Sequence, residues 1–497
     1  MIANIREAPA RTFGTNTPIP EVQLLSNGRY HVVITNAGGG YSRWQELAVT
    51  RWRDDATCDS WGFFCYVRDV VTGEFWSTTY QPTLVRAEPD EAVFSPGRAT
   101  FRRRVHDIET RTEVVVAPED DVELRRIHVA NRASIRRSLE ITSYAEIVLA
   151  PPATDAAHPA FAKLFVETEV VREHQAILST RRPRAPDEPT VWMFHRLAAY
   201  RPAGDDVSYE TDRLRFIGRG HSAADPQAMR DSAALSGSAG PVLDPVAAIR
   251  TRITLDAGET ATVDLISGVG QSRATCMALI AKCQERNYVH HAFDAAADKG
   301  RAILTKLGVA EPDTERFASV ASSVIYANAS LRAAPGVIGR NRLGQSGLWG
   351  HKISGDLPIV LLQIADPAKT ELLRQLVAAH AYWRWHGLAV DLVILVEARS
   401  GSEAPRREQV SKLIAAADGA GRLDQAGGIF VRTTDEIDDA DRILLESAAR
   451  VVLSEDDGSL AQALERRRTA AISIRHWRAR ANLSTGRRRM SSGLGAT

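Results

Sequence analysis

The strongest constraint on the fold is a long stretch, residues 21–270, in which short apolar or alternating segments follow one another with almost no helical period. Segments such as YHVVI at residues 30–34 and FFCYV at residues 63–67 have the length and composition of β-strands. Turn signals separate them, for example DAG at residues 256–258. Many short strands with so few helices predict a mainly β fold with some α structure, built on a large antiparallel β-sandwich.

The character of the sequence changes near residue 271. Alanine-rich segments with helical apolar spacing predict helices over residues 272–284, 288–307, 312–331 and 371–386. LAVDLVILV at residues 388–396 has the continuous apolar character of a buried strand. We therefore predict a helical connector over residues 271–400 and a small α/β segment over residues 401–465.

The two ends differ from the body of the chain. Residues 1–20 are polar and lack the apolar core of a signal peptide, so we predict no signal peptide and a disordered N-terminus. Residues 466–497 contain nine Arg, no Lys and no acidic residue, which predicts a basic, disordered tail. Removing these nine charges from the net charge of +1 leaves residues 1–465 at −8. A mildly acidic body gives no electrostatic case for nucleic-acid binding.

Several classes of protein are not supported by the sequence. No segment approaches eighteen consecutive apolar residues, so we predict no transmembrane segment and a cytoplasmic location. The four cysteines form two pairs whose internal spacing of seven matches no metal-ligand pattern, and we predict neither a metal site nor a bound cofactor. Phosphate-binding glycine motifs and a nucleophile elbow are also missing from the sequence.

The densest chemical signal lies between residues 38 and 83, where four tryptophans and three tyrosines alternate with arginines and aspartates. Aromatic faces stack on the apolar C–H faces of sugars, while Arg and Asp hydrogen-bond the hydroxyls. A concave sheet surface with these residues would suit a saccharide, but the same rings could also fill a sandwich core, and both interpretations stay open. The candidate sugar-binding residues here are Tyr41, Arg43, Trp44, Trp61, Arg68, Trp76, Tyr80 and Gln81.

The same region carries a family resemblance. GGYS at residues 39–42, YVRD at residues 66–69 and FWS at residues 75–77 resemble the N-terminal supersandwich domain of family 94 glycoside phosphorylases, formerly glycosyltransferase family 36. A narrower resemblance is to the bacterial cyclic β-1,2-glucan synthases. Its motifs are LAPP at 149–152, HPAF at 158–161, TRRPRAPDEP at 180–189, YETDR at 209–213, QSGLW at 345–349, ISGDLP at 353–358 and GLAVDLVIL at 387–395.

The resemblance implies a galactose-mutarotase-like supersandwich over residues 21–270, followed by a connector similar to the start of an (α/α)6 region. It implies a glucan oligosaccharide or polysaccharide as ligand, other modules of the synthase as partners, and attachment to the inner membrane through those modules. An oligomer is compatible with it. The chain lacks the barrel segment that carries the family's general-acid Asp. We therefore expect a carbohydrate-binding and assembly part without complete catalytic machinery of its own.

Two alternatives remain open. In the first, the chain is an active glycoside phosphorylase or transglycosylase acting on β-glucans, with phosphate as co-substrate if the reaction is phosphorolytic. Asp356 would then be the candidate general acid, with Trp349 as a nearby sugar contact. The competing interpretation makes Asp356 the N-cap of a helix over residues 359–364. In the second alternative, the chain is a structural interaction module without affinity for sugars.

Overall fold

The computed structural model describes residues 10–183, 185, 188, 190–200, 207–366, 370–397, 403–418 and 423–465. The chain divides into two compact units. The first contains residues 1–318 together with 385–387, and the second contains residues 319–384 and 388–497. The chain is mainly β with α structure, as the sequence predicts, and its large antiparallel sheets confirm the predicted fold class.

The described part of the first unit contains eighteen strands. In chain order they are β1 (Arg11–Gly14), β2 (Val22–Ser26), β3 (Tyr30–Thr35), β4 (Gly40–Trp44), β5 (Leu47–Thr50), β6 (Phe63–Asp69), β7 (Phe75–Ser77), β8 (Asp90–Ser95), β9 (Arg98–Val105), β10 (Ile108–Val116), β11 (Val122–Asn131), β12 (Arg137–Ala150), β13 (Val166–Val171), β14 (Ala176–Arg181), β15 (Val191–Tyr200), β16 (Ser208–Asp212), β17 (Pro245–Leu255) and β18 (Thr260–Gly270).

These strands form two nine-stranded antiparallel sheets. The first sheet has the order β1-β8-β9-β10-β11-β18-β15-β14-β13. The second has the order β16-β17-β12-β5-β4-β3-β2, with β6 paired to both β12 and β7. Alternate residues of each strand face the other sheet, so Ile127 of β11 and Ile141 of β12 share one core. The result is a sandwich whose interior is filled by apolar side chains from both sheets.

Six helices lie entirely within the described part of the first unit: α1 (Pro152–Ala157), α2 (Pro159–Leu164), α3 (Arg213–Ile217), α4 (Gln227–Arg230), α5 (Arg273–Gln284) and α6 (Arg286–Leu307). Residues 172–174 form a 3₁₀ turn. Ser272 caps α5, because its hydroxyl accepts a hydrogen bond from the Thr275 N–H at 3.1 Å. Ile280 and Phe293 of α5 and α6 pack with Leu124 on the outer face of the first sheet. The division between the units falls within α7 (Glu311–Ile325).

The second unit is a parallel α/β structure. Its strands are β19 (Ile359–Ile364), β20 (Asp391–Val396), β21 (Ile429–Thr433) and β22 (Val451–Ser454), in the order β21-β20-β19-β22. Its helices are α8 (Pro335–Ile338), α9 (Glu371–Trp385), α10 (Glu403–Asp418) and α11 (Asp439–Ala448), with 3₁₀ turns at Ala329–Leu331, Gln345–His351 and Glu455–Asp457. Leu361, Val393 and Phe430 meet in its core, which explains why these strands are continuously apolar.

The structure departs from the sequence-based expectations at three places. Residues 359–364 were expected to continue as a helix from Asp356, but they form the central strand β19. Arg11–Gly14 lies in the segment expected to be disordered, yet it pairs with β8 as an edge strand. The expected boundary at residue 400 falls inside the second unit, whose sheet combines strands from both sides of it.

The predicted basic tail lies outside the described residues. In the part of the chain described, no helix is long and apolar enough to span a membrane.

Candidate functional site

Strand β4 divides the aromatic candidates between two faces of the second sheet. Trp44 points into the sandwich core, and its indole Nε1 donates a hydrogen bond to Asp121 Oδ2 at 2.7 Å. Trp76 of β7 lies in the same core and is only 1% exposed. Both were candidates for sugar contact, but a ring that is packed between two sheets has no face left for a ligand. These two tryptophans are core residues.

Tyr41 and Arg43 alternate with Trp44, so they lie on the opposite, outer face of β4. The Arg43 guanidinium lies 4.6 Å from the centre of the Tyr41 ring, and the Trp52 ring packs edge-on against Tyr41 at 5.6 Å. Tyr41 is therefore buried by its neighbours, and this burial raises the pKa of its hydroxyl. Arg68 on β6 is likewise occupied, because its Nη1 forms a buried ion pair with Glu140 Oε2 at 3.0 Å. Neither Tyr41 nor Arg68 presents a free surface.

The glycine-rich segment before Tyr41 explains how the following loop closes onto the sheet. A Cβ atom at Gly39 would lie 1.8 Å from the carbonyl oxygen of Asp59, and a Cβ at Gly40 would lie 1.8 Å from that of Val33. Only glycine permits these approaches. The Gly40 N–H then donates to the Trp61 carbonyl at 2.7 Å, which fixes the loop that leads into β6. The glycines thus have a structural role in the motif.

Asp59 organises the half-exposed part of the aromatic stretch. Its Oδ2 accepts a hydrogen bond from the Thr35 hydroxyl at 2.6 Å, and its Oδ1 accepts one from Gln81 Nε2 at 2.8 Å. Gln81 is thereby buried and held by Asp59, while its neighbour Tyr80 and the ring of Trp61 remain half-buried. Among the predicted rings of this stretch, Trp61 and Tyr80 keep part of their surface accessible. Composition alone does not distinguish Asp59 from the other aspartates nearby.

A buried ionic network, which sequence reasoning missed, lies on the outer face of the second sheet. Arg51 is its centre, with Nη1 2.5 Å from Glu146 Oε2 and 3.1 Å from Asp244 Oδ1. Burial acts to lower the pKa of Arg51, but the surrounding carboxylates outweigh it and raise the pKa above the usual Arg value. The further members are Arg53, Asp155, Lys163 and Arg213. Every carboxylate here is paired with a cation, which is the arrangement of a structural network.

Trp349, in the second unit, is the most exposed aromatic residue among the candidates. Trp349 lies in the 3₁₀ turn Gln345–His351 and is 62% exposed. Its indole Nε1 donates to the Ser354 carbonyl at 3.3 Å, and Gln345 Nε2 donates to the same carbonyl at 2.8 Å and to Asp356 Oδ1 at 2.9 Å. We call Gln345, Trp349 and Asp356 the Trp349 surface. One edge of the indole is tethered there, while the ring stays accessible to a ligand.

The turn that carries Trp349 is firmly anchored. Leu348 is buried in the core of the second unit. His351 Nε2 lies 2.9 Å from Asp441 Oδ2, and its carbonyl accepts hydrogen bonds from the guanidinium of Arg432, with Nε at 3.1 Å. Lys352 ends the turn in the left-handed conformation, with φ of 62°. A ring held in this way loses little conformational entropy when a ligand stacks on it.

Asp356 does not cap a helix, because strand β19 follows it. The side chain is exposed and is held by Gln345. A second carboxyl, which sequence reasoning missed, belongs to Asp391 at the start of β20. Asp391 Oδ1 accepts the Gly427 N–H at 2.7 Å, whereas Oδ2 is buried with no hydrogen-bond partner among the described residues.

Burial raises the pKa of Asp391, the Gly427 N–H acts against this, and the charge of Asp356 raises the pKa further. Asp391 is fully buried, so in this arrangement its carboxyl does not reach a ligand at the surface. The Trp349 surface therefore consists of an exposed aromatic ring with an amide and a carboxylate beside it. Within the described ranges, no three His, Cys, Asp or Glu side chains are grouped so as to hold a metal ion.

Comparison with known proteins shows that the chain is similar to carbohydrate-active proteins. Residues 6–286 match the model described as "Glycosyl hydrolase 94, supersandwich domain". The chain is 33% identical over 380 residues to the cyclic beta-(1,2)-glucan synthase NdvB of Rhizobium meliloti (strain 1021), covering 76% of this chain and 13% of that protein. It is 25% identical over 306 residues to the N,N'-diacetylchitobiose phosphorylase of Vibrio furnissii, covering 60% of this chain and 36% of that enzyme. The chain thus spans well under half the length of either relative.

Proposed function

The chain belongs to the glycosyl hydrolase 94 supersandwich family, and from this premise we propose that it is the carbohydrate-binding and assembly part of a cyclic β-1,2-glucan synthase-like protein. The resemblance predicted from the sequence motifs is confirmed at the level of the family. Carbohydrate-active relatives make a glucan oligosaccharide or polysaccharide the ligand class that we propose for this chain.

The observation that carries the proposal is the exposed indole of Trp349. The exposed ring offers a flat apolar face, and sugars present C–H faces of matching size. Gln345 and Asp356 lie beside the ring, and because both amide hydrogens of Gln345 are used on Ser354 and Asp356, its amide oxygen and the carboxylate serve as acceptors for hydroxyl groups. The surface therefore combines one stacking platform with two directional polar groups, as saccharide recognition requires. Trp61 and Tyr80 are candidates for an additional contact on the first unit.

The proposal is tested by titrating linear and cyclic β-1,2-glucans into the full chain and measuring heat or tryptophan fluorescence. Trp349→Ala removes the stacking platform, which is worth about 1.5 kcal/mol beyond its contact area, so we expect about tenfold weaker binding. Phe161→Ala is the matched control, because Phe161 is an exposed ring of the first unit. The proposal is wrong if neither glucan binds, or if both variants bind glucan as the unchanged chain does.

The alternative of a complete enzyme makes a different prediction. An active phosphorylase would consume inorganic phosphate in the presence of β-1,2-glucooligosaccharides and would need an acid such as Asp356. We expect the isolated chain to bind glucan without turnover, because the carboxyl with the raised pKa is enclosed in the fold. Phosphate uptake that disappears in Asp356→Asn would favour the enzyme instead.

A further inference from the structure

A cluster of three arginines on the outer face of the second sheet carries more positive charge than its carboxylate balances. Strand pairing places Arg68 of β6 and Arg252 of β17 on the two sides of Glu140 of β12. Arg68 Nη1 lies 3.0 Å from Glu140 Oε2, and Arg252 Nη2 lies 3.0 Å from Oε1. Arg250 lies on the same face, two residues before Arg252, with Nη1 4.0 Å from Glu140 Oε2. Three guanidinium groups thus share one carboxylate.

No second carboxylate forms an ion pair with these arginines among the described residues. The charge of Asp231 raises the pKa of Arg250, but Asp231 Oδ1 accepts the Ala233 N–H at 3.0 Å instead of pairing with the guanidinium. Glu74, in the loop before β7, lies beside His106, with Oε2 3.6 Å from the imidazole Nε2. Three positive charges against one negative charge leave the cluster with a surplus of two.

Arg250 has its hydrogen bonds but lacks a counter-ion of its own. Its Nε donates to the Thr142 hydroxyl at 3.0 Å, and its Nη1 and Nη2 donate to backbone carbonyls at 3.0 Å and 2.5 Å. Burial lowers the pKa of Arg250 below the ordinary Arg value, the charge of Glu140 acts against this, and the other two arginines lower it further. A buried excess of one sign of charge is unfavourable unless a counter-ion comes close.

Arg68 and Arg252 keep donors that nothing in the described part of the chain uses. The Nε atoms of both are buried there without a hydrogen-bond partner. Among the described residues, Arg68 Nη2 is the one atom beyond the chain neighbours of Gly73 that lies within 4 Å of a Cβ atom built at that glycine. The space beside Gly73 is therefore open, and Arg68 Nη2 borders it. The side chain of Arg252 is 41% exposed and that of Arg68 is 6% exposed, so Arg252 forms the rim and Arg68 the floor.

Two hydroxyl groups lie next to these guanidinium groups. Ser138 of β12 and Thr254 of β17 are paired with each other, each two positions along its strand from the ion pair and so on the same face. Their oxygens are 3.4 Å apart, and both residues are partly exposed. The Val70 N–H donates to the Ser138 carbonyl at 3.0 Å, which places the hydroxyls at the end of the sheet where the loop containing Gly73 begins.

We propose that this face binds an oxyanion of the phosphate or sulfate type between Arg68, Arg252 and the two hydroxyls, an arrangement that we call the Arg68–Arg252 site. A guanidinium offers a planar fork of N–H donors to such an anion, and the hydroxyls of Ser138 and Thr254 donate to its remaining oxygens. The inference is independent of the Trp349 surface and of the proposed glucan ligand.

The charge and shape of the site select this class of anion. A divalent oxyanion supplies the two negative charges that the cluster lacks, whereas a sugar hydroxyl supplies none. A carboxylate has one charge and two oxygens, so it would leave part of the surplus and the two hydroxyls unmatched. A tetrahedral anion has enough oxygens for both guanidinium groups and both hydroxyls.

The test titrates inorganic phosphate and sulfate into the full chain at millimolar concentrations, in exchange for chloride at constant ionic strength. At an anion concentration about 100 times the Kd, the melting midpoint of the first unit should rise by about 5 °C. Acetate is the monovalent control and should raise the midpoint clearly less. The low concentrations avoid the general stabilisation that concentrated phosphate and sulfate give to folded proteins.

Arg252→Gln removes the rim donor and should weaken sulfate binding about tenfold or more, since hydrogen bonds to charged groups are the strong ones. The side chain is partly exposed, so its replacement should leave the fold intact. Ser138→Ala/Thr254→Ala keeps every charge and should weaken binding about fivefold. Arg102→Gln is the matched control, because it removes an arginine that is 54% exposed on the first sheet and should leave the shift in midpoint unchanged.

Phenyl phosphate, used in place of inorganic phosphate, identifies the source of the anion. Binding that is as tight or tighter assigns a phosphate ester, weaker binding assigns the free ion, and both results support the site. The inference is overturned if neither phosphate nor sulfate raises the midpoint more than acetate does, or if Arg252→Gln keeps the full shift. Glucan titrations of Arg252→Gln should match those of the unchanged chain, so failure of this inference would leave the proposed function standing.

Discussion

Replacing Asp391 by Asn tests how much a carboxyl that has no access to water lowers the stability of the second unit. The wild-type side chain uses one oxygen to accept the Gly427 N–H at 2.7 Å and leaves the other oxygen buried and unpaired. Asn keeps the first hydrogen bond through its carbonyl oxygen and removes the ionisable group. The Asp and Asn side chains have nearly the same volume, so the packing of the core around Val393 stays intact.

The pH dependence has a definite sign. The pKa of Asp391 is raised above its ordinary value of 3.8, so the folded state holds a proton that the unfolded chain has already released. Stability of the wild-type unit therefore falls as the pH rises from the ordinary carboxyl pKa to the raised one, and it is highest below that window. Asn has no proton to lose, so Asp391→Asn should lack this part of the decline.

The size of the effect follows from the buried charge, because the Nδ2 of Asn is left unpaired just as the oxygen that it replaces is. An unpaired buried polar group costs about 1–3 kcal/mol, and more when it is charged. We expect Asp391→Asn to be more stable than wild type by about 1–3 kcal/mol at about pH 7, and to differ little at about pH 3. Calorimetric melting across this range measures it, since each kcal/mol moves the midpoint of a unit of this size by about 2–4 °C.

Asp356→Asn is the companion variant. Removing the neighbouring charge should bring the pKa of Asp391 part of the way back and weaken the decline, without abolishing it. Parallel melting curves for wild type and Asp391→Asn between about pH 3 and pH 7 would refute the reasoning, because they would mean that Asp391 titrates as it does in the unfolded chain.

Two further predictions concern the first unit. Trp76→Ala should lower the free energy of unfolding of this unit by about 3–5 kcal/mol in a urea titration, because the ring fills the core. Trp61→Ala should lower it clearly less. Equal losses in the two variants would contradict the division between core and surface rings. Glu146→Gln should destabilise the unit by about 1–3 kcal/mol, since Arg51 and Arg213 lose their most buried shared carboxylate and keep Asp244. Unchanged urea midpoints in that variant would show that the stability of the unit does not depend on the charge of Glu146.

The strands of the sandwich could be predicted from the sequence because each shows its own pattern. YHVVI and FFCYV lie within β3 and β6, where alternation and β-branched residues agree with burial of the sheet. IVLLQI at Ile359–Ile364 could not be assigned in the same way. A six-residue apolar run fits a buried strand and one face of a short helix equally well, and the parallel pairing with β20 decides it.

The candidate site could be predicted only in part. Sequence composition placed Trp44, Trp76 and Trp61 in one cluster, but the side of the sheet that each ring faces depends on strand alternation and on what covers that side. Trp349 stood out less in the sequence, since a lone tryptophan has no pattern, and its exposure is a tertiary property. Asp391 is the first residue of the apolar strand β20, and its burial, which raises its pKa, arises only once the sheet has formed.

The strand order of the sandwich has a consequence for its synthesis. Strands β17 and β18 are the last of the first unit to leave the ribosome, yet each lies inside its sheet: β18 between β11 and β15, and β17 between β12 and β16. Arg137 must wait for Leu255 as its partner, and Glu123 for Ser267. At a synthesis rate of about 5–20 residues per second, the nascent chain exposes unpaired strand edges in both sheets for roughly ten seconds. Fragments that end before residue 245 would leave a gap in each sheet, so chaperone protection during translation should matter more for this unit than for the parallel one.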